Sequence, residues 1–389
     1  MKTVALGEIV DFYSGGTPSK AKPAFWNGSI PWVSAKDMKK PRLSDSSDHI
    51  SEEVFTSTSL RKLPAGTVVM VVRGMILAHT VPIATLDVPA SINQDLKALL
   101  PRRDLDPSFL AAMLRAKHAE ILAQVSTAAH GTKKLESRVL EAIQIPFPNL
   151  NEQRRIASIL DRADSLRAKR RRVLSQLEAL SQSVFHNMFR TEPATTKVED
   201  LSTFIRTGPF GSQLLHSEFV TSGISVLGLD NVVSNEFRWA ERRYITPTKY
   251  EQLKRYRVHP GDVLVSIMGT TGRCVVVPDE IPAAINTKHI CAITPDQDRL
   301  DPIFLRASFL WHPESRTHLR RQTKGSIMDG LNMGIIKTMP VPLPRLDRQR
   351  EFALHVKRVA FQRTATQRGI VASDELFGSL QACALRGEL

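Results

Sequence analysis

The strongest constraint on this chain is that it repeats itself at long range. Leu105-Asp106-Pro107 returns as Leu300-Asp301-Pro302, 195 residues later. Leu63-Pro64-Ala65-Gly66 returns as Val258-His259-Pro260-Gly261, and Ala90-Ser91-Ile92-Asn93 as Ala283-Ala284-Ile285-Asn286. Ile145-Pro146-Phe147-Pro148 is matched by Val341-Pro342-Leu343-Pro344, and Asn151-Glu152-Gln153-Arg154 by Asp347-Arg348-Gln349-Arg350. The offsets stay between 193 and 196, and no pair is out of order. Solenoid repeats run to roughly 20–50 residues, so this period demands that each copy close its own core. A length of 389 residues with 42% hydrophobic side chains supplies enough material for that. A chain that duplicates a whole unit presents two similar surfaces, as a two-site reader would.

Each copy has two textures. The first is β-rich: Thr67-Val68-Val69-Met70-Val71-Val72 follows one Pro-Ala-Gly turn, and Asp262-Val263-Leu264-Val265-Ser266-Ile267 follows Pro260-Gly261. Runs rich in β-branched residues and bounded by Gly and Pro read as strands. Beyond them a helix is expected in each copy, with Asp106 or Asp301 as N-cap and Pro107 or Pro302 at the first helical position. The expected class is α+β, with two mixed globules.

A Pro-x-Pro pair closes each globule, forcing extended backbone, and the pattern then switches to helix. Asn149 or Asn151 is placed to cap the first long helix and Asp347 the second. From Asn151 to Phe189 there is neither Pro nor Gly, which allows a helix about 58 Å long. Its apolar residues suggest a stripe of Ile159, Ala163, Leu166, Val173, Leu177, Leu180 and Val184, broken at Arg170. The second helix offers Phe352, Val356, Val359, Ile370, Leu376, Phe377 and Leu380, interrupted by Gly369 and Gly378. Antiparallel pairing of the two helices is favoured over each packing only on its own globule. The expected division is 1–149 and 191–345 as globules, with 150–190 and 346–389 as helices.

Net charge is +14, spread along the chain and densest in 151–190. That favours a polyanionic partner, most simply nucleic acid. Three cysteines without C-x-x-C spacing suit a reducing compartment. No signal-peptide core and no run of about 18 apolar residues is present, so a cytoplasmic protein without a membrane span is expected. Asn/Asp-Pro-Pro, Gly-x-Gly-x-x-Gly, the phosphate-loop pattern and paired-histidine metal spacings are all missing. No catalytic or metal-binding residue is therefore assigned. Gly269-Thr270-Thr271-Gly272-Arg273 fits a tight turn better than a nucleotide cradle.

Ser14-Gly15-Gly16-Thr17-Pro18-Ser19, followed by Phe25-Trp26-Asn27-Gly28-Ser29-Ile30-Pro31-Trp32-Val33-Ser34, resembles the opening of one class of target-recognition domain. Gly208-Pro209-Phe210-Gly211-Ser212 with Gly223-Ile224-Ser225-Val226-Leu227 is similar to another. Globule, long helix, globule, long helix, over essentially the whole chain, resembles the specificity subunits of type I restriction–modification systems. That resemblance implies a non-catalytic reader of double-stranded DNA, active in DNA methylation and phage defence. Each globule would read one half of a bipartite, asymmetric site. The helices, paired as an antiparallel coiled coil, would set the spacer and dock two methyltransferase subunits. S-adenosylmethionine is expected in those partners, with no cofactor on this chain, and a restriction (translocase/endonuclease) subunit is a further candidate partner. The alternatives are a duplicated protein–protein scaffold and a stand-alone DNA-modifying enzyme with degenerate motifs.

Arg and Lys suit guanine and phosphate, and Gln suits adenine. The candidate DNA-binding residues in the first globule are Lys36, Lys39, Arg42, Arg73, Thr132, Lys133 and Lys134. In the second they are Arg206, Gln213, Arg238, Arg273, Lys288, Lys324 and Ser326. The two copies differ most between Gly16 and Leu63 and between Gly208 and Val258, where two readers of different half-sites should differ. The run Lys169-Arg170-Arg171-Arg172 is read as a solvated face, or one paired with acids of a methyltransferase subunit, in preference to a DNA contact.

Overall fold

The computed structural model describes residues 2–102, 104–128, 131–239, 242–323 and 330–389. Four helices frame it: α1 (Pro107–Ala116), α2 (Leu150–Phe189), α3 (Pro302–Trp311) and α4 (Leu346–Arg386). The chain divides into two compact units, Met1–Arg171 with Arg368–Leu389, and Arg172–Gln367. Each unit thus owns one globule, one end of α2 and one end of α4.

The first globule has a five-stranded sheet in the order Val10–Ser14, Leu96–Pro101, Val68–Val71, Ile83–Leu86, Arg42–Leu43. A three-stranded sheet adjoins it: Asp48–Ile50, Ile30–Val33, Ser91–Ile92. The second globule repeats the plan with a four-stranded sheet, Ser202–Thr207, Ile290–Pro295, Val263–Ser266, Cys274–Val276. Its three-stranded partner is Arg243–Ile245, Ile224–Leu227, Ala284–Asn286. The apolar strands after the Pro-Gly turns are buried along their whole length. Continuous apolar runs of this kind are what strands covered on both faces require.

The proline-led helices start as the sequence suggests. The Asp106 carboxylate accepts from Phe109 N at 3.0 Å, and Asp301 from Ile303 N and Phe304 N at 2.8 and 3.2 Å. Asn149 caps α2 by accepting from Glu152 N at 3.0 Å. Asp347 does not cap α4. That helix begins at Leu346, and Asp347 sits in its first turn with its carboxylate on Arg345 and Arg348 N.

One side chain in each unit draws the repeated motifs together. Gln153 is fully buried. Its Oε1 accepts from Asp106 N at 2.8 Å, and its Nε2 donates to Asp104 O and Pro148 O, both at 2.9 Å. Gln349, equally buried, accepts from Asp301 N at 2.9 Å and donates to Arg299 O at 3.1 Å and Pro344 O at 2.8 Å. The Leu-Asp-Pro start, the Pro-x-Pro exit and the first turn of the long helix therefore meet on one amide, twice.

Both packing alternatives for the long helices hold at once. Ile156, Ala157 and Leu160 of α2 and Ala384 of α4 belong to the core of the first globule, and the partly buried Phe377 and Leu380 of α4 pack against it. In the second unit Phe185 and Phe189 of α2 and Phe352 of α4 surround Phe304, with the Phe189–Phe304 ring centroids 4.9 Å apart. Within the first unit Arg155 meets Leu389 O, Arg167 meets Asp374 at 2.6 Å and Arg170 meets Gly369 O at 2.5 Å. Rising numbers on one helix face falling numbers on the other, so the strands of the coil are antiparallel. Arg363 with Glu178, and Arg348 with Met188 O and Glu192, show the same sense in the second unit.

The register of the seam corrects the expected stripe. Shielded positions on α2 are Ile156, Leu160, Ala163, Arg167, Arg170, Leu174, Leu177, Ser181, Val184 and Met188, in alternating steps of four and three. Leu166, Val173 and Leu180 are instead 45%, 44% and 42% exposed, and Leu376 of α4 is 56% exposed. Polar residues hold several seam positions, so the apolar letters misplace half of the stripe by one residue. Arg170 does not break the seam; it is in it, bonded to Gly369 O and the Ser373 hydroxyl. Arg171 pairs with Asp374 at 3.0 Å, so an acid of this same chain answers part of the basic run.

Two stability measurements check this. Gln153→Ala or Gln349→Ala leaves one amide N–H and two carbonyls without partners in the interior, and should cost about 2–4 kcal/mol in denaturant unfolding. Leu160→Ala should cost about 2–5 kcal/mol, whereas Leu166→Ala should stay within about 0.5 kcal/mol; the reverse order would restore the stripe read from the letters.

Candidate nucleic-acid interface

Strand direction brings one set of loops to one rim of each globule. In the first, Ile30–Val33 runs parallel to Ser91–Ile92, so their C-terminal ends coincide. Ser14 pairs with Lys97, and Val71 with Leu96, which adds the ends of two further strands. Asn93–Asp95 ties these ends together: Asn93 N donates to Val33 O at 2.9 Å, and Val72 N and Arg73 N donate to Asp95 O at 2.8 and 3.2 Å. A fifth segment joins through Gly74 N to Lys133 O and Leu135 N to Val72 O, both 2.9 Å.

The second globule reproduces the joint. Thr287 N donates to Leu227 O, Ile267 N to His289 O and Leu331 N to Ile267 O, each at 2.9 Å. Close approach also recurs at a glycine. A Cβ on Gly15 would lie 2.0 Å from Ile92 O, and one on Gly208 2.1 Å from Asn286 O. Only glycine lets these loops fold so tightly onto the neighbouring strand.

The first rim gathers Lys36, Arg73, Lys133 and Lys134 from the expected set. Arg73 is exposed. Lys133 Nζ donates to Thr127 Oγ1 at 2.9 Å, Lys134 pairs with Glu136 at 3.0 Å, and Lys36 pairs with Asp48 at 2.7 Å. Thr132 is half-buried in the same turn, and Lys39 is exposed three residues beyond Lys36. The second rim gathers Arg273 and Lys288, both exposed, together with His289. Burial first, then Lys288 and Arg243, hold His289 below the ordinary histidine range.

Other expected residues lie elsewhere. Arg42 is level with Thr85, which faces Val68, and so stands at the far end of the strand that leads to Arg73, about 16 Å away along the strand. It pairs with Asp87 at 2.6 Å. Arg206 is committed inside the fold. Its guanidinium bonds the fully buried Asp262 at 2.7 Å, along with Arg257 O and Thr294, and only 12% of its side chain is exposed. Alternation along an edge strand turned it inward, which its letter alone does not reveal. Gln213 accepts from the Tyr256 hydroxyl at 2.8 Å, and Arg238 pairs with Glu236 at 3.1 Å while 64% exposed. Lys324 and Ser326 lie outside the described residues.

Residues not singled out in the sequence also stand on the first rim. Gln94 accepts from the Thr17 hydroxyl at 2.5 Å, Lys97 donates to Ser137 at 2.6 Å, and Met75 is 63% exposed beside Arg73. Gln94 follows the repeated Ala-Ser-Ile-Asn segment directly, which was the available signal. Among the described residues no group of three His, Cys, Asp or Glu side chains is placed to hold a metal ion, and no helix is long and apolar enough to cross a membrane.

Residues 1–179 match the type I restriction modification DNA specificity domain. The first part of the chain thus carries the domain of type I restriction–modification specificity subunits. It is 41% identical over 162 residues to the EcoR124I/EcoR124II specificity subunit of Escherichia coli, covering 41% of this chain and 40% of that protein. It is 26% identical over 296 residues to the EcoBI specificity subunit of the same species, covering 68% of this chain and 62% of the relative. The matches therefore span two fifths to three fifths of these relatives' length. The fold matches the type I S subunit from M. genitalium with a TM-score of 0.62 over 99% of this chain and 96% of that one, at 14% identity.

The Lys36 loop depends on one carboxylate. Asp37 accepts from Ser34 N and Oγ and from Ser47 N and Oγ at 2.7–3.0 Å. Burial works to raise its pKa, but these hydrogen bonds prevail and hold it below the ordinary 3.8. The stabilisation it gives is therefore present above pH 3.8 and is lost as pH falls through the lowered value. Unfolding midpoints measured between pH 6 and about pH 3 should fall with acid less in Asp37→Asn than in the native chain; parallel curves would remove Asp37 from this role.

Proposed function

We propose that this chain reads DNA sequence for a type I restriction–modification complex, with each globule reading one half of a bipartite, asymmetric site. The observation that carries the reading is the repeated rim. One backbone frame presents two different sets of side chains, Arg73, Gln94 and Lys133 in one copy, Arg273, Lys288 and His289 in the other. A common frame with different contents is what two half-sites of unlike sequence call for. Rim cations set register on phosphates, and Gln or Arg side chains discriminate base edges.

In this reading the paired helices set the spacer and dock two methyltransferase subunits. Methyl transfer and its S-adenosylmethionine belong to those partners, and a restriction subunit joins where the system cuts. Sequencing of methylated adenines, in cells carrying this chain with its methyltransferase, should return one asymmetric bipartite motif. Methyl transfer or cleavage by the chain alone would make it an enzyme in its own right.

Binding should also carry a steep salt dependence. The Arg73→Ala, Lys133→Ala double variant should weaken binding about tenfold to a hundredfold and flatten the plot of log affinity against log salt by about 1–2. Binding indifferent to salt would favour a protein scaffold instead.

A further inference from the structure

Gln153 and Gln349 do more than fill a core. Each stands in the first turn of a long helix, the part that fixes the direction in which that helix leaves its globule. Each holds that turn to two separate stretches of the globule, Asp104–Asp106 with Pro148, or Arg299–Asp301 with Pro344. The carboxamide is suited to this because it accepts at one atom and donates twice at the other. A glutamate would keep the contact to the Asp106 or Asp301 N–H but set a carboxylate oxygen against two carbonyls. A methionine would keep the length and lose all three bonds. Neither glutamine has a route to solvent or to a ligand, since both are fully buried.

We propose that Gln153 and Gln349 are positioning residues for spacer selection: each locks the take-off direction of its long helix, and with it the spacer length the protein accepts between half-sites. This rests on the reading of the chain as a bipartite DNA reader. The lock acts on spacing and not on base identity, because the glutamines lie at the helix junction while the rims are built from the opposite ends of the strands. In the first globule Pro101, paired with Val10, leads toward the junction, whereas Lys97, paired with Ser14, stands at the rim.

The test is selection of bound duplexes from a random DNA library by the full-length chain with its methyltransferase partner. The native protein, Gln153→Met, Gln153→Glu, Gln349→Met and a control, Leu99→Ala, are compared. Leu99 is buried in the sheet of the first globule, away from the junction, and its truncation is destabilising without touching the lock. Thermal melts establish that each variant is folded at the selection temperature. Should Gln153→Met fail that check, Gln153→Glu and Gln349→Met carry the test.

The glutamine variants should recover the native half-sites but spread over spacers one base pair longer and shorter. Preference for the native spacer should fall about tenfold or more, with Leu99→Ala unchanged. An equally sharp spacer in folded glutamine variants overturns the proposal, as does equal broadening by Leu99→Ala, which would signify general loosening. A native protein that selects no bipartite sequence defeats the underlying reading instead, and the two failures are told apart by that lane alone.

Discussion

A buried glutamine side chain in the first turn of a long helix is the interaction on which the rest of each unit depends. Three separate stretches of chain must meet at that point: the start of a proline-led helix, a Pro-x-Pro exit and the helix that follows. The first brings two backbone groups and the second brings one that would be unpaired away from water, and the third carries the glutamine. The amide of Gln153 or Gln349 pairs all three. Prolines cannot donate, and they hold the exit extended, so the polar pairing at this joint falls to that amide. The recurrence of the motifs at a near-constant offset follows from that shared need.

Above this joint each unit is a frame with replaceable contents. The strands end at one rim, and short bonds such as Asn93 N to Val33 O and Thr287 N to Leu227 O recur at 2.9 Å in both copies. The side chains hung on the rim do not recur. The long helices are welded to the globules at their ends by apolar contacts, with Leu160 in one core and Phe185 and Phe189 in the other. Toward mid-helix the seam turns polar, with Arg167 and Arg171 on Asp374 and Arg170 on Gly369 and Ser373. Such polar seam positions fix register at a cost in stability.

Much of the frame was legible in the sequence because it is built from residues with narrow uses. Prolines, cap aspartates and β-branched runs announce a turn, a helix start and a buried strand, and Asp106 and Asp301 do cap their helices. The seam was half legible. Its apolar members Ala163, Leu177 and Val184 were recognisable, but Leu166 and Leu180 drew the stripe off register because Arg167 and Ser181 occupy the seam beside them, and Val173 because it adjoins the equally apolar seam residue Leu174. The rim was the least legible part. Arg206 and Arg273 are the same letter, yet one is committed to buried Asp262 and the other faces solvent. That difference depends on strand register, which a lone arginine does not encode. Arg42 stands apart for a related reason: near Lys39 in sequence, it lies on a strand that carries it to the opposite end of the sheet.

The central claim is that two independent readers share one frame, and exchange of a single globule tests it most directly. Residues 1–149 are replaced by the corresponding globule of another specificity subunit, with Gln153 and the long helices kept, and methylated adenines are mapped in cells. The account predicts that one half of the recognised sequence changes while the other half persists. Alteration of both halves, or of neither, would contradict it.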